Sequence, residues 1–263
     1  MITAVTTFHK EGLDLYGQRF LESFANNVDK RVKLIVYAEN CEPVNPDQTQ
    51  ITIVPQTNLK QLVEFKNKWQ NVPKANGKCP FPEKRPRDHH KEFKWDAIRF
   101  ANKTYAVFET YKSAESKWVV WIDADTFVHS PISYKQFEDL LPDDTWITFV
   151  GRGRGTQTWP ECGFYGLNRT NDTCKKFMQQ FELMYEDADK GIFTLDEWHD
   201  SFVFGYILKK LAKLDTAYHD YSKNIYNKTA KTGGGGHPLI NSELGKYFDC
   251  LLYTSDAADD KQC

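Results

Sequence analysis

The sequence lacks any run of 18 apolar residues, so no membrane-spanning helix is expected. It also lacks an excess of charge of one sign, since 34 Lys and Arg face 36 Asp and Glu for a net charge of −2. Binding to nucleic acid through bulk electrostatics needs a basic surface, so no nucleic-acid partner is expected. A strand is predicted almost from Met1, which leaves no room for a secretory signal peptide.

Cysteine is scarce and shows no pattern. The six cysteines include no Cys-x-x-Cys pair and no His/Cys cluster at zinc spacing. We interpret them as reduced thiols and expect a cytoplasmic protein. Aromatic residues, by contrast, make up 14% of the chain, and such rings suit a core but also stack on sugars and bases.

Short apolar strands alternate with helical patterns in the first half of the chain. This rhythm predicts an α/β fold with a mostly parallel, Rossmann-like sheet flanked by helices, and 263 residues suffice for one large domain. Apolar and β-branched runs predict strands at 2–8, 32–37, 52–54, 118–122, 146–150 and 161–168, and apolar residues at helical spacing predict helices at 12–28, 59–69, 93–111, 133–141, 171–187 and 201–213.

Residues 70–90 interrupt this rhythm. They contain four prolines, Gly77 and the basic residues Lys84, Arg85 and Arg87. A solvated connector and a lid over an anionic substrate are both compatible with this composition.

Two carboxylates, Asp123 and Asp125, follow a fully apolar strand, Trp118-Val119-Val120-Trp121-Ile122. Such a strand belongs inside a parallel sheet, and ligands bind at the carboxyl ends of these strands. Two neighbouring carboxylates repel each other and are costly to bury, and a divalent cation with a phosphate-bearing substrate resolves that conflict. An ordinary turn at a strand end is the structural alternative.

Charged residues of the preceding predicted helix are candidates for substrate binding. Because this helix leads into the Asp123 strand, its start lies at the same edge of a parallel sheet as the carboxylates. We therefore predict donor-site roles for Lys94, Asp96 and Arg99, although a solvated charged face is also compatible with the pattern. The cationic glycine-rich loop 152–155 is placed well for phosphate or acceptor.

A second acidic cluster precedes the helix predicted at 201–213. Helix capping explains one acid of Leu195-Asp196-Glu197-Trp198-His199-Asp200, and the others are candidates for acid/base chemistry. Farther on, the glycine run 233–236 leads to His237, which on a segment able to fold back would complete a metal site opened by two carboxylates.

The last residues differ in character from the rest. Residues 250–263 resemble the translated read-through of a transposon sequencing adaptor. We therefore predict one domain over 1–249 and a non-native tail over 250–263.

Over most of residues 1–249 the chain resembles the GT-A superfamily of nucleotide-sugar glycosyltransferases. The resemblance rests on Asp123-Ala124-Asp125 after its strand, on the helix before it and on the segment from Glu197 to Asp200. It is nearest to small bacterial and phage enzymes whose C-terminal segment is similar to His237-Pro238-Leu239-Ile240-Asn241-Ser242. The resemblance implies a sugar donor activated by a nucleoside diphosphate, a hydroxyl acceptor and a Mn²⁺ or Mg²⁺ ion.

The resemblance also implies roles for individual residues. It places Asp123 near the ribose or the metal and makes Asp125 and His237 metal ligands. The end of the first strand, Thr6, Thr7 and Phe8, would receive the base, and Arg99 or Lys103 would assist the leaving diphosphate. In an inverting member the carboxylate base would be Asp200, with Glu161 and Glu197 as further candidates.

Three other functions fit parts of the pattern. Haloacid-dehalogenase-type phosphatases also carry Asp-x-Asp after a strand, but they need Thr or Val at the position occupied here by Phe127 and usually place the motif near the N-terminus. A nucleotidyltransferase would need a glycine-rich basic loop after the first strand. A non-enzymatic carbohydrate-binding protein would bind sugar through exposed aromatic residues without needing both aspartates.

Overall fold

The computed structural model describes residues 1–152, 159–223 and 237–251. Most of the predicted loop 152–155, the glycine run 233–236 and nearly all of the predicted tail therefore lie outside the described residues. In the parts described, no helix is both long enough and apolar enough to cross a membrane.

In the described part of the chain, nine strands form two sheets. They are β1 (Ile2–His9), β2 (Val32–Glu39), β3 (Ile51–Pro55), β4 (Trp118–Ile122), β5 (Thr126–Val128), β6 (Ile147–Val150), β7 (Glu161–Asn168), β8 (Tyr218–Asp220) and β9 (Phe248–Cys250). The main sheet has the order β3-β2-β1-β4-β7-β6-β8, and β5 pairs with β9 in a separate antiparallel sheet. Strands β1 to β4 are mutually parallel, β7 is antiparallel to both of its neighbours, and β8 is parallel to β6.

Helices lie along the chain between these strands. They are α1 (Lys10–Gly12), α2 (Gln18–Asn27), α3 (Lys60–Trp69), α4 (Ala97–Ser113), α5 (Tyr134–Asp139), α6 (Asp172–Glu186), α7 (Asp200–Leu211) and α8 (Pro238–Asn241). A π-helical turn, Leu13–Gly17, joins α1 to α2. Residues 70–96 contain only short 3₁₀ turns.

The central strands are buried on both faces because the main sheet separates two apolar cores. Every residue of β4 and of β7 is buried. In β4, Val119 and Trp121 pack into the core formed with α3, α4, α6 and α7, while Trp118, Val120 and Ile122 pack into the core formed with α2 and α5. The predicted α/β fold with a mostly parallel sheet flanked by helices is confirmed.

Three details differ from the sequence-based predictions. Helix α4 begins at Ala97 rather than at residue 93, because the Asp96 side chain accepts the Arg99 N–H and caps the helix. The N-cap of α7 is His199, not an acid, since its ring Nδ1 accepts the Phe202 N–H. Strands β8 and β9, three residues each, were not predicted.

The boundary between the predicted domain and the predicted tail falls inside β9. Cys250 is the register partner of Thr126 in β5, and the Leu251 N–H donates to the Asp125 carbonyl at 2.6 Å. The limits 1–249 and 250–263 stay predictions.

Close packing in the middle of β7 requires a glycine. A Cβ at Gly166 would lie 2.7 Å from both Leu141 Cδ2 and Thr148 Oγ1, and that hydroxyl is itself fixed by accepting the Gly166 N–H and the Tyr221 O–H. We expect Gly166→Ala to lower the free energy of unfolding by about 1–3 kcal/mol, because the added methyl overpacks a buried site.

Urea denaturation measures this change, and Gly12→Ala is the matched control. The Cβ at Gly12 would meet the far end of the Tyr16 side chain, which can move. The control should change stability by less than about 1 kcal/mol. Equal effects of the two substitutions would contradict the packing argument.

Candidate active site

The candidate site lies at the edge of the main sheet where β4 ends. Asp123 directly follows β4, and its N–H donates to the Gly163 carbonyl at 2.8 Å. Because β7 is antiparallel to β4, its first residue, Glu161, lies at this same edge. The first residue of α7, Asp200, and Lys103 of α4 reach the edge from the helical layer.

Lys103 joins two of these carboxylates. Its Nζ lies 3.0 Å from Asp123 Oδ1 and 2.9 Å from Asp200 Oδ2, and it donates to the Cys162 carbonyl at 2.5 Å. Asp123 Oδ1 also accepts the Trp121 indole N–H at 2.6 Å. The Lys103 and Asp200 side chains are only 12% and 8% exposed, so these ion pairs are only weakly screened by water.

Electrostatics keeps the lysine charged. Burial acts to lower the pKa of Lys103, but the charges of Asp123 and Asp200 outweigh it and raise that pKa well above its ordinary value. A positively charged lysine leaves one net negative charge over the three side chains. The cluster thus combines a fixed cation with a local excess of carboxylate.

Glu161 lies next to this cluster, and its two carboxylate oxygens differ in their hydrogen bonding. Its Oε1 accepts the Gly163 N–H at 2.7 Å, whereas its buried Oε2 has no hydrogen-bond partner among the described residues. Burial, with the charge of Asp123 acting in the same direction, raises the pKa of Glu161. His237 lies near it, with Nε2 3.8 Å from Glu161 Oε1.

A glycine allows the carboxylates to approach the backbone of β7. A Cβ at Gly163 would lie 2.8 Å from Glu161 Oε1 and 3.3 Å from Asp123 Oδ2. Any other residue at this position would push the two acids away. Gly163 therefore helps define the space between them.

The predicted metal ligands Asp125 and His237 each make a hydrogen bond within the chain. Asp125 Oδ2 accepts a hydrogen bond from the Cys250 thiol, at 3.6 Å. His237 caps α8 by accepting the Leu239 N–H on Nδ1, which in neutral imidazole puts the proton on Nε2 and not on the cap nitrogen. Across the described ranges, no group of three or more His, Cys, Asp or Glu side chains is arranged to hold a metal ion.

Glu197 and Lys94 belong to a second, separate network. Glu197 is 1% exposed, and its carboxylate accepts from Lys94 Nζ at 3.0 Å and Arg85 Nη1 at 3.3 Å and pairs with His199 Nε2 at 3.1 Å. Lys94 also pairs with Asp88. This network binds residues 85–94 to the segment that starts α7, so it orients the helix that carries Asp200.

The other predicted donor-site residues are placed as follows. Asp96 caps α4, and Arg99 is exposed one turn later. Thr7 Oγ1 donates to the Tyr37 carbonyl at 2.6 Å. Thr6 and Phe8 are buried, and Thr6 Oγ1 has no hydrogen-bond partner. Because Val5 of β1 is the register partner of Trp121, the end of β1 lies beside Asp123.

Sequence reasoning missed two parts of the site. The first is the indole N–H of Trp121, which appears in the sequence as one more apolar residue of the strand. Strand periodicity puts residues 121 and 123 on the same face and could have indicated this contact. The Cys162 carbonyl carries no sequence signal, because any residue supplies a backbone acceptor.

Comparison with known proteins relates the chain to solved structures of low sequence identity, two of which follow. No protein-family model matches the chain, and no curated protein matches its sequence. Among solved structures, it is similar to the apo structure of WbbM, a bifunctional glycosyltransferase, with 11% identity and a TM-score of 0.46 over 83% of this chain and 38% of that one. It is likewise similar to apo mouse xyloside xylosyltransferase 1, with 10% identity and a TM-score of 0.46 over 93% and 94% of the two chains.

Removing the Lys103 ammonium should strongly destabilise the site. In Lys103→Met, Asp123 and Asp200 lose their shared cation, and we expect the free energy of unfolding to fall by about 3–5 kcal/mol. Lys112→Met is the control, since Lys112 also lies on α4 and pairs with Glu182 but is 47% exposed. It should cost less than about 1 kcal/mol in urea denaturation. Equal losses would show that the Lys103 pairs are no stronger than a surface pair.

The Glu197 network should make stability depend on pH. Burial acts to raise the pKa of Glu197, but hydrogen bonds from His199 and Lys94 outweigh it and hold that pKa below its ordinary value of 4.5. A lowered folded-state pKa gives stability that is present above about pH 4.5 and is lost as the pH falls through the folded-state value.

Unfolding of wild type and Glu197→Gln at several pH values tests this linkage. The stability difference between them should shrink as the pH falls from 6 towards about 3, because wild type loses the contribution of the ionised carboxylate. Glu182→Gln on α6 is the control. A difference that stays constant over this range would refute the assignment.

Proposed function

We propose that this chain is a glycosyltransferase that moves a sugar from a nucleotide-diphosphate donor to an acceptor hydroxyl. One observation carries the proposal. Five residues from separate parts of the sequence, each predicted to serve donor, metal or acid/base chemistry, lie in one cluster at the carboxyl edge of the parallel strands. They are Lys103, Asp123, Glu161, Asp200 and His237. That edge is where open α/β sheets bind their ligands.

The reaction places two demands on such a cluster. Negative charge builds on the diphosphate as its bond to the anomeric carbon breaks, and the acceptor hydroxyl must lose its proton as its oxygen attacks that carbon. The ammonium of Lys103 uses its three N–H groups on Asp123, Asp200 and the Cys162 carbonyl, so it holds the two carboxylates in place before substrate arrives. A bound Mn²⁺ or Mg²⁺ ion would stabilise the charge on the leaving diphosphate. Asp123, held by Lys103 and by Trp121, presents its remaining oxygen in a single orientation towards the donor.

For an inverting reaction we propose Glu161 as the base. The sequence favoured Asp200, but the Asp200 carboxylate is bound to Lys103 and lies at the start of a helix. Glu161 Oε2 has no hydrogen-bond partner within the described ranges, and burial raises the pKa of Glu161 towards the range useful for proton transfer. Asp200 then acts by holding Lys103, and Glu197 by orienting α7.

The proposal includes the Mn²⁺ or Mg²⁺ ion that the family resemblance implies. Asp125 and His237 are the residues to test. Release of nucleotide from a panel of UDP-, GDP- and CMP-sugars, with Mn²⁺ or with EDTA, measures both donor turnover and its dependence on metal.

We expect wild type to turn over at least one donor of the panel. Asp125→Asn should lose the turnover that depends on metal, whereas Asp172→Asn, a substitution of an exposed acid on α6, should not. Full activity in Asp125→Asn would exclude a ligand role for Asp125. Absence of turnover for every donor, together with sugar binding in calorimetry, would instead identify a carbohydrate-binding protein.

A further inference from the structure

The outer surface of α7 carries an unusual pair of exposed aromatic rings. Among the described residues the exposed large hydrophobic side chains are Met1, Leu15, Val44, Trp159, Leu183, Tyr206 and Leu214. Trp159 and Tyr206, 36% and 38% exposed, are the aromatic members of that set. Tyr206 belongs to α7 and Trp159 packs against that helix, although the chain has 38 Phe, Tyr and Trp in all. The other aromatic rings of the described residues are largely in the cores, so this position needs an explanation.

Trp159 is held firmly against the helix. A Cβ at Gly205 would lie 2.9 Å from Trp159 Cα, so the glycine lets the Trp159 backbone rest directly on α7. One turn earlier, the Ser201 hydroxyl donates to the Pro160 carbonyl. The Trp159 ring also packs on Phe202, with 5.5 Å between ring centroids. An exposed ring fixed in this way loses little conformational freedom when a ligand binds.

The rings form a surface that leads away from the site. Phe202 and Tyr206 are four residues apart and therefore lie on the same face of α7. At its inner end this surface adjoins the cluster along the chain, because Trp159 comes two residues before Glu161 and the helix that carries Phe202 begins at Asp200. At its outer end Lys210 lies over the Tyr206 ring, 4.0 Å from its centroid.

We propose that Trp159, Phe202 and Tyr206 form the binding platform for a saccharide acceptor, whose sugar rings stack along α7 and whose terminal hydroxyl reaches the Glu161 cluster. The proposal rests on the proposed function and specifies its acceptor. Pyranose rings have apolar C–H faces and polar rims, and Trp and Tyr match them with a flat apolar face and one polar group. The cation–π contact of Lys210 is exposed and therefore weak, so a sugar can displace it.

A protein partner fits this surface less well. A stable protein interface buries about 800 Å² on each partner around an apolar centre, and charge is depleted there. Here the exposed Tyr206 ring is followed on α7 by the exposed residues Lys209 and Lys210. A narrow aromatic strip with a cationic end suits a single polymer chain better than a broad apolar face.

Binding of the full chain to a printed glycan array, followed by titration of the glycans that bind, tests the platform. Trp159→Leu and Tyr206→Leu keep apolar bulk but remove the flat ring, and each should weaken binding by about tenfold, or about 1.4 kcal/mol. Trp159→Phe should retain most of the affinity. Leu183→Ala removes an exposed apolar side chain from α6, and its affinity should match that of wild type.

Three results would overturn the proposal: no glycan bound by wild type, equal affinity of Trp159→Leu and wild type, or equal losses in Trp159→Leu and Trp159→Phe. Thermal unfolding identifies any variant that fails to fold, and the exposed Tyr206 then provides the second substitution. Donor turnover is measured separately. If the enzyme turns over a donor but the ring substitutions leave glycan binding unchanged, the platform alone is refuted. If glycan binding depends on the rings but no donor is turned over, the transferase is refuted and, with it, the acceptor role of the platform.

Discussion

The ion pairs of Lys103 are the interaction on which the arrangement of the site depends. Asp123 follows a strand in the middle of the sheet, and Asp200 starts a helix far along the chain, so nothing local holds them together. One buried ammonium at 3.0 Å and 2.9 Å from their carboxylates does so. Two carboxylates without that cation would repel each other or bind protons. The ammonium therefore fixes both the geometry and the charge of the cluster.

The direction of the antiparallel strand β7 determines which of its residues reach the site. In a wholly parallel sheet, the strand next to β4 would bring its last residue to the ligand edge. Because β7 runs the other way, it brings Glu161 and Gly163 there at its start. The same reversal puts Trp159 and Pro160 just before the cluster and against α7. A short stretch of chain thus passes from an exposed aromatic ring to a buried carboxylate.

The sequence predicted the features that depend on local pattern. The apolar run before Asp123 identified β4, and the alternation of strands and helices indicated the parallel half of the sheet, since both follow from burial and periodicity. The pairing of Lys94 with Glu197 could not be predicted, because it joins residues about a hundred positions apart and each residue alone is compatible with a substrate role. Asp96, one helical turn before Arg99, was compatible with both a ligand site and a helix cap. The structure shows a cap, because the Asp96 side chain accepts the Arg99 N–H. Strands β8 and β9 are too short to show a period of two.

The pairing of β5 with β9 affects how the protein is made. Strand β5 comes immediately after the aspartates, yet its partner is among residues 248–250. During synthesis the ribosome therefore releases β5 long before it releases the strand that covers it. A nascent chain in that interval exposes an unpaired edge, which is the kind of surface that chaperones protect from aggregation.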